Sequence, residues 1–350
     1  MKMRINLFKI TLITVLLSVP VLIFAAPPQD IDKKKNISRS YTVSPSDKLS
    51  ITNSFGDVVI KTWDKNEIKV DIDINVEAST EDAAQRLMDG IDVKESREDG
   101  GNISFKTNVE EHNNGNSWSK NKKEGNTRKF EINYAVFMPA VNPLDIENSF
   151  GKTVVGDMKG KVSLTSKFGS LKTGKLDNVE DLDVEFGTAE IGQINNGKIS
   201  FKFNSKSHID KVAGSIKLNS EFSGNVRFAV DNTIQDLSIN ESYSSIKVNV
   251  AKDFSASFEI HSSFSSFNNS TDFSIVEDKD DDDNNGPRFD KDYHGKAGDG
   301  RAKVKIKSSF GSVHLSDLSD SKDEEQEEKA EMKEKKEKKE KKEKKEAVEL

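Results

Sequence analysis

The chain has 350 residues, of which 33% are hydrophobic and 32% charged, with a formal net charge of -7, twenty Phe and no Cys. Without Cys, disulfides, a thiolate nucleophile, a Cys-ligated metal and a lipid anchor on an N-terminal Cys are all excluded. The mild charge, with both signs mixed along the chain, leaves no electrostatic footprint for nucleic acid.

Residues 1–26 place Lys2, Arg4 and Lys9 ahead of an apolar run from Ile10 that closes on Ala25 and Ala26. That pattern predicts a secretory signal peptide cleaved near Ala26, with an uncleaved anchor as the alternative. The run falls short of the roughly 20 apolar residues a spanning helix needs, so no stable membrane span is expected after cleavage.

Residues 41–139 read as an α+β unit that also contains the first copy of a repeat. The alternating stretch DKNEIKVDIDINV predicts a strand, STEDAAQRLMDG a short helix stopped by Gly90, and GIDVKES with NISFKTN a hairpin. The polar stretch Glu110 to Asn126 predicts a loop in which Trp118 is incidental, and KFEINYAVFMP a further strand.

Residues 140–318 repeat the unit apolar-x-apolar-x-[Ser/Asn/Glu]-x-[Phe/Tyr]-[Gly/Ser]. Clean copies begin at Leu49, Leu144, Val162, Ile216, Leu237, Phe258 and Val304, and degenerate ones, EDLDVEFG and FKFNSKSH, begin at Glu180 and Phe201. A period near 20 residues with alternation inside it predicts a mainly β fold of the β-solenoid kind, with residues 41–139 covering its N-terminal end. Stacking sets Phe150, Phe168 and Phe186, then Phe222, Tyr243 and Phe264, in columns. Strand parity puts each ring on the same face as the Leu, Ile and Val of its own strand, which makes it core and not a ligand platform. Asn53, Asn148 and Ser166 fall on that face beside the corner, where they can satisfy backbone groups. Gly or Ser follows the ring because a larger side chain would obstruct the bend. Residues 268–302 read as an acidic loop insertion, and 319–350 as a charged tail, helical or disordered.

The order of LSITNSFGDVVIKTWDKNEIKVDIDI, a helix and hairpin, FEINYAVFMP and then LDIENSFG-type copies resembles the putative adhesin domain family, a bacterial exported β-solenoid domain of unknown function. The resemblance covers Tyr41 to Leu318. It implies a binding or structural role and no catalytic residue.

For chemistry, the strongest carboxylate group is Asp181, Asp183 and Glu185, with Asp145 and Glu147 two turns earlier and Lys202 and Lys206 on the next turn. A polysaccharide-cleaving site needs two carboxylates at controlled separation, whereas an ion-pair ladder between turns needs only alternating charge. The five His residues, His112, His208, His261, His294 and His314, lie in loops or singly on strands, a spacing that fits neither zinc nor a triad. Asp281, Asp283, Asn285, Gly286 and Asp292 match positions of a calcium loop, yet Asp replaces the usual Glu, Arg288 fills the apolar position and no flanking helices are predicted. No cofactor is expected. The reading is a non-enzymatic exported protein of the periplasm or cell surface, binding a protein or glycan of the envelope through outward positions such as Ser163, Thr165, Lys202, Lys217 and Lys305. The alternatives are a polysaccharide-active enzyme on the same scaffold and an envelope sensor whose tail engages a partner.

Overall fold

The computed structural model describes residues 30–98, 100–110, 128–278 and 289–319. The expected leader, Trp118, His112, the calcium-loop candidates Asp281, Asp283 and Asn285, and residues 320–350 of the tail lie outside them.

Three long strands, β1 (Ile31–Thr42), β4 (Glu67–Ala78) and β7 (Arg128–Pro139), pair antiparallel in the order β1, β4, β7. Alternate residues of β4, from Ile68 to Ala78, are buried, the periodicity of a half-covered strand. The single helix among the described residues, α1 (Glu81–Asp89), starts where Thr80 accepts a hydrogen bond from the Ala83 N–H at 3.2 Å. Such a cap stabilises by about 1 kcal/mol. Buried Ala83 and Ala84 lie on its inner face, and it packs on β4 and β1. The hairpin β5 (Ile91–Arg97) and β6 (Ile103–Val109) follows as the sequence predicts.

From this unit the sheet continues in two parallel columns joined at the Phe corners. The first copy supplies β2 (Leu49–Ser54) and β3 (Val58–Trp63). β6, β2 and then β8 (Leu144–Ser149) pair in parallel, as do β7, β3 and β9 (Lys152–Val155). In the first column β8 continues to β10 (Met158–Lys167) and then to the second halves of β11 (Ser170–Glu185), β12 (Thr188–Lys202) and β13 (Lys206–Glu221). The first halves of β11, β12 and β13 extend the second column from β9 to β14 (Val226–Val230). Ile146, Leu164, Leu182, Ile199, Leu218 and Ile239 are in register across the first column, and each is no more than 1% exposed. Burying such a side chain stabilises by about 1.5–3 kcal/mol, so this column is what a single turn could not supply alone. Met158, Leu176, Ile194, Val212 and Val230 align similarly and are buried. Among the described residues the strands form one large mixed sheet of 22 strands that does not close into a barrel.

Among the repeat copies, chain order is broken once. β15 (Asp236–Ser242) is followed in space by β21 (Ala302–Ser309), and only then by β17 (Ala256–Ser263). In the second column β14 pairs with β16 (Ser245–Val250), β16 with β22 (Ser312–Asp317), and β22 with β18 (Ser266–Asn269). The last copy in sequence is therefore slotted between two earlier ones, so Phe310, not Phe264, follows Tyr243. The segment expected to be an acidic loop, 268–302, contains β19 (Ser274–Glu277) and β20 (Asp290–Ala297), and β20 runs antiparallel along β17. That pairing covers an edge that would otherwise offer a row of free backbone groups. The copy read from Phe201 also shifts: Phe201 is a fully buried core residue and the corner ring is Phe203.

Candidate functional site

Nine corner residues, Phe55, Phe150, Phe168, Phe186, Phe203, Phe222, Tyr243, Phe264 and Phe310, have φ between 49° and 65°. A non-Gly residue in this left-handed region carries a cost of about 1–2 kcal/mol, and extended-strand parity no longer applies to it. The expectation that the rings are core is overturned for this reason: the backbone turns at each ring and throws it outward, leaving the rings 40–53% exposed.

The rings form a ladder in the order Phe55, Phe150, Phe168, Phe186, Phe203, Phe222, Tyr243, Phe310, Phe264, closed by Phe289. Successive centroids are 4.6–5.2 Å apart and the planes lie within 10° of parallel. Phe130 meets Phe55 edge-on at the other end. The spacing is that of hydrogen-bonded strands, and it is fixed by the backbone. The N–H of each corner ring donates to a carbonyl of the next turn, as from Phe168 to Glu185 and from Tyr243 to Ser309.

The residue after the ring is constrained as the sequence suggests. A Cβ on Gly151, Gly169 or Gly187 would overlap the carbonyl O of Gly56, Gly151 or Gly169 on the preceding turn. Where the residue is polar it bonds between turns: Asn204 Oδ1 accepts from Gly187 N–H at 3.0 Å, Ser223 Oγ from Asn204 N–H at 3.2 Å, and Ser244 Oγ from Ser223 N–H at 3.0 Å.

Behind the ladder, Asn53 donates to Ile132 O at 3.0 Å and Asn148 to Gly56 O at 3.1 Å, the backbone-satisfying role expected of them. Ser166 is buried there too, but its hydroxyl has no hydrogen-bond partner among the described residues. The same column holds Glu241, which is 4% exposed. Its Oε1 accepts from Ser244 N–H at 2.6 Å and its Oε2 from the Ser308 hydroxyl. Burial pushes this carboxyl above its ordinary value. Glu241 lies where β21 enters out of chain order. Residue type alone did not single it out among nine corners.

The carboxylate candidates do not converge. Glu185 pairs with Lys167 at 3.6 Å, Asp181 with Lys198 at 3.7 Å and Asp145 with Lys48 at 3.7 Å. Asp183 lies in register between Thr165 and Ser200. The pattern continues through Glu180 with Lys161 and Glu190 with Lys172, whose bonded Lys hold both carboxyls below their usual values. This is charge alternation between turns.

Of the outward positions, Lys217 and Lys305 come together in a polar trough of about 500 Å³ with Asn240, Glu259, His261 and Asp292. Lys305 pairs with Glu259 at 2.7 Å and His261 with Asp292 at 2.9 Å. Asp292 is thus a member of β20 bonded to a strand His. Ser163, Thr165 and Lys202 lie further along the same outward face. His294 bonds Asp278, and His208 bonds Asp210. Among the described residues no group of three or more His, Asp or Glu is placed to hold a metal ion.

No protein-family model matches the chain, and no curated protein matches it. Among solved structures it is similar to a putative cell adhesion protein from Clostridium sporogenes, at 13% identity over 81% of this chain and 100% of that one, with a TM-score of 0.24. A putative adhesin from Bacteroides fragilis is similar at 11% identity over 81% and 97%, with a TM-score of 0.30. A putative lipid binding protein from Parabacteroides distasonis is similar at 11% identity over 80% and 96%, also with a TM-score of 0.30. Likeness at this level assigns no function. Among the described residues no helix is long and apolar enough to cross a membrane.

Proposed function

We propose that the chain is a non-enzymatic, exported binding module of the cell envelope or surface: a β-solenoid at 140–318, an N-terminal α+β cover at 41–139, a leader at 1–26 and a charged tail at 319–350. The aromatic ladder is its binding surface. Ten rings at about half exposure, each of about 150–250 Å², present about 1,000 Å² of apolar surface in one line. Soluble monomers rarely expose a contiguous patch above about 300–600 Å².

The ladder also limits what can bind. Each ring face is covered by the next ring, so the surface offers edges, and a sugar has no free face to stack on. The outward strands beside it carry alternating charge and can tune orientation. The acid/base alternative is disfavoured because Asp145, Asp181 and Glu185 are tied to Lys on neighbouring turns, which leaves Asp183 without a second free carboxylate among them, while Glu241 is walled off from solvent.

The test compares the chain with Phe186→Ser/Phe222→Ser and Lys217→Ala/Lys305→Ala, each checked by circular dichroism, in self-association, phosphatidylglycerol vesicle and glycan-array assays. The ladder variant is expected to lose association that the Lys variant keeps. Unchanged association of every kind in the ladder variant, or glycan turnover abolished by Asp183→Ala/Glu185→Ala, would refute the reading.

A further inference from the structure

We infer that the occupant of the ladder is a second copy of this chain, docked ladder to ladder about a two-fold axis that crosses the stripe at right angles. The inference rests on the ladder being the binding surface and adds who binds.

Three observations carry it. The first is period: the rings repeat at the strand spacing, set by backbone hydrogen bonds, so a second identical ladder is commensurate with the first over its whole length. The second is area. About 1,000 Å² per copy exceeds the roughly 800 Å² per partner of a standard stable interface, and an isologous interface closes without extending into a filament.

The third is charge. Of the residues immediately before the nine corner rings, the third to sixth in ladder order are charged, Lys167, Glu185, Lys202 and Glu221, and the rest are Ser. The midpoint of the ten rings falls between Phe203 and Phe222. An axis there sets Lys202 opposite the partner's Glu221, and Glu221 opposite the partner's Lys202. Glu185 and Lys167 then face Ser. Slipping by one ring sets Lys202 against the partner's Lys202, or Glu221 against the partner's Glu221. The pattern therefore penalises the one-ring slips, as charged flanks do when they fix register. A two-ring slip pairs Lys202 with the partner's Glu185 and Lys167 with the partner's Glu221 but covers eight rings per copy instead of ten, so area is what selects full overlap.

Sedimentation of the chain, expressed from its full sequence, from about 1 to about 100 µM should show a concentration-dependent dimer. Lys202→Glu and Glu221→Lys should each weaken it at least about tenfold. Mixing these two variants should restore a heterodimer, because each then meets its opposite charge, and the double variant should dimerise as the original does. Circular dichroism and melting of each single variant separate a folding defect from an interface defect. A monomer at every concentration, single reversals without effect, or a mixture that stays monomeric would overturn the inference. If the chain is monomeric and the ladder variant loses vesicle or glycan binding, the second copy is refuted while the binding module stands.

Discussion

Replacing Phe186 by Ala and by Gly separates the two forces acting on each corner ring. Phe186 is 48% exposed and stacks on Phe168 at 4.9 Å and on Phe203 at 4.8 Å. About half of a ring of 150–250 Å² is buried, worth about 2.5 kcal/mol at roughly 25 cal/mol per Å². Two stacks add about 0.5–1.5 kcal/mol each. Neighbouring rings can relax into the gap and the unfolded chain already hides some surface, so Phe186→Ala should cost about 3–5 kcal/mol. The backbone there has φ of 55°. In an ordinary strand Gly is worse than Ala by about 0.5–1 kcal/mol, but here Gly escapes the left-handed cost of about 1–2 kcal/mol that Ala retains. Phe186→Gly should therefore be more stable than Phe186→Ala by about 1 kcal/mol in guanidinium unfolding followed by circular dichroism. An Ala variant as stable as the Gly one, or a loss below about 1 kcal/mol in the Ala variant, would show that the ladder does not hold the turns as described.

The residue after the ring discriminates just as sharply. Gly169→Ala would drive a Cβ into the Gly151 carbonyl, whereas at Gly224 a Cβ meets only Ser205 O at 3.4 Å; the first should lower stability by about 3 kcal/mol or more and the second by less than about 1, in the same unfolding assay. Glu241 holds its proton more tightly in the folded chain than in the unfolded one, so its contribution is full below the unfolded value and lost as pH rises from about 4.5 through the folded value. Stability of the original chain relative to Glu241→Gln should accordingly fall as pH rises across that window, and parallel curves would contradict it; the exposed carboxylates held low by Lys act in the opposite sense but are common to both chains. Because Ser242 and Ser309 are in-register neighbours, at the strand spacing of about 4.8 Å and inside the roughly 4.4–6.8 Å reach of a disulfide, Ser242→Cys/Ser309→Cys should cross-link under mild oxidation. Ser242→Cys/Ser263→Cys, two strands apart, should not, and the reverse outcome would restore stacking in chain order.

Much of the fold was legible because the signal is local and repeated. Alternation within each copy marked Val162 and Leu164 as inward, and the spacing of copies implied turns stacked in register. The helix of STEDAAQRLMDG and the hairpin of GIDVKES with NISFKTN were legible for the same reason. Three things were not. Parity fails at any residue with positive φ, and nothing in the residue types announced that eight Phe and one Tyr, which disfavour that region, would occupy it. Similar copies carry no label of their neighbours, so the slotting of β21 between β15 and β17 could not be read from a period. A buried Phe201 beside an exposed Phe203 looks like one aromatic pair until the turn is placed. Of the β11 carboxylates, Asp181 and Glu185 pair with Lys of neighbouring turns, a pattern legible because charge alternation at strand spacing is local, whereas Asp183 lies between Thr165 and Ser200.

The central claim is that the corner rings face water while their strands are core, and the absence of native Cys makes it directly measurable. A single Cys placed at Phe186, in a chain that keeps its circular dichroism and is diluted until sedimentation shows a monomer, should react with a maleimide under native conditions at a rate within about tenfold of the unfolded chain. Protection by a factor of about a hundred or more would place that corner inside the fold and contradict the account.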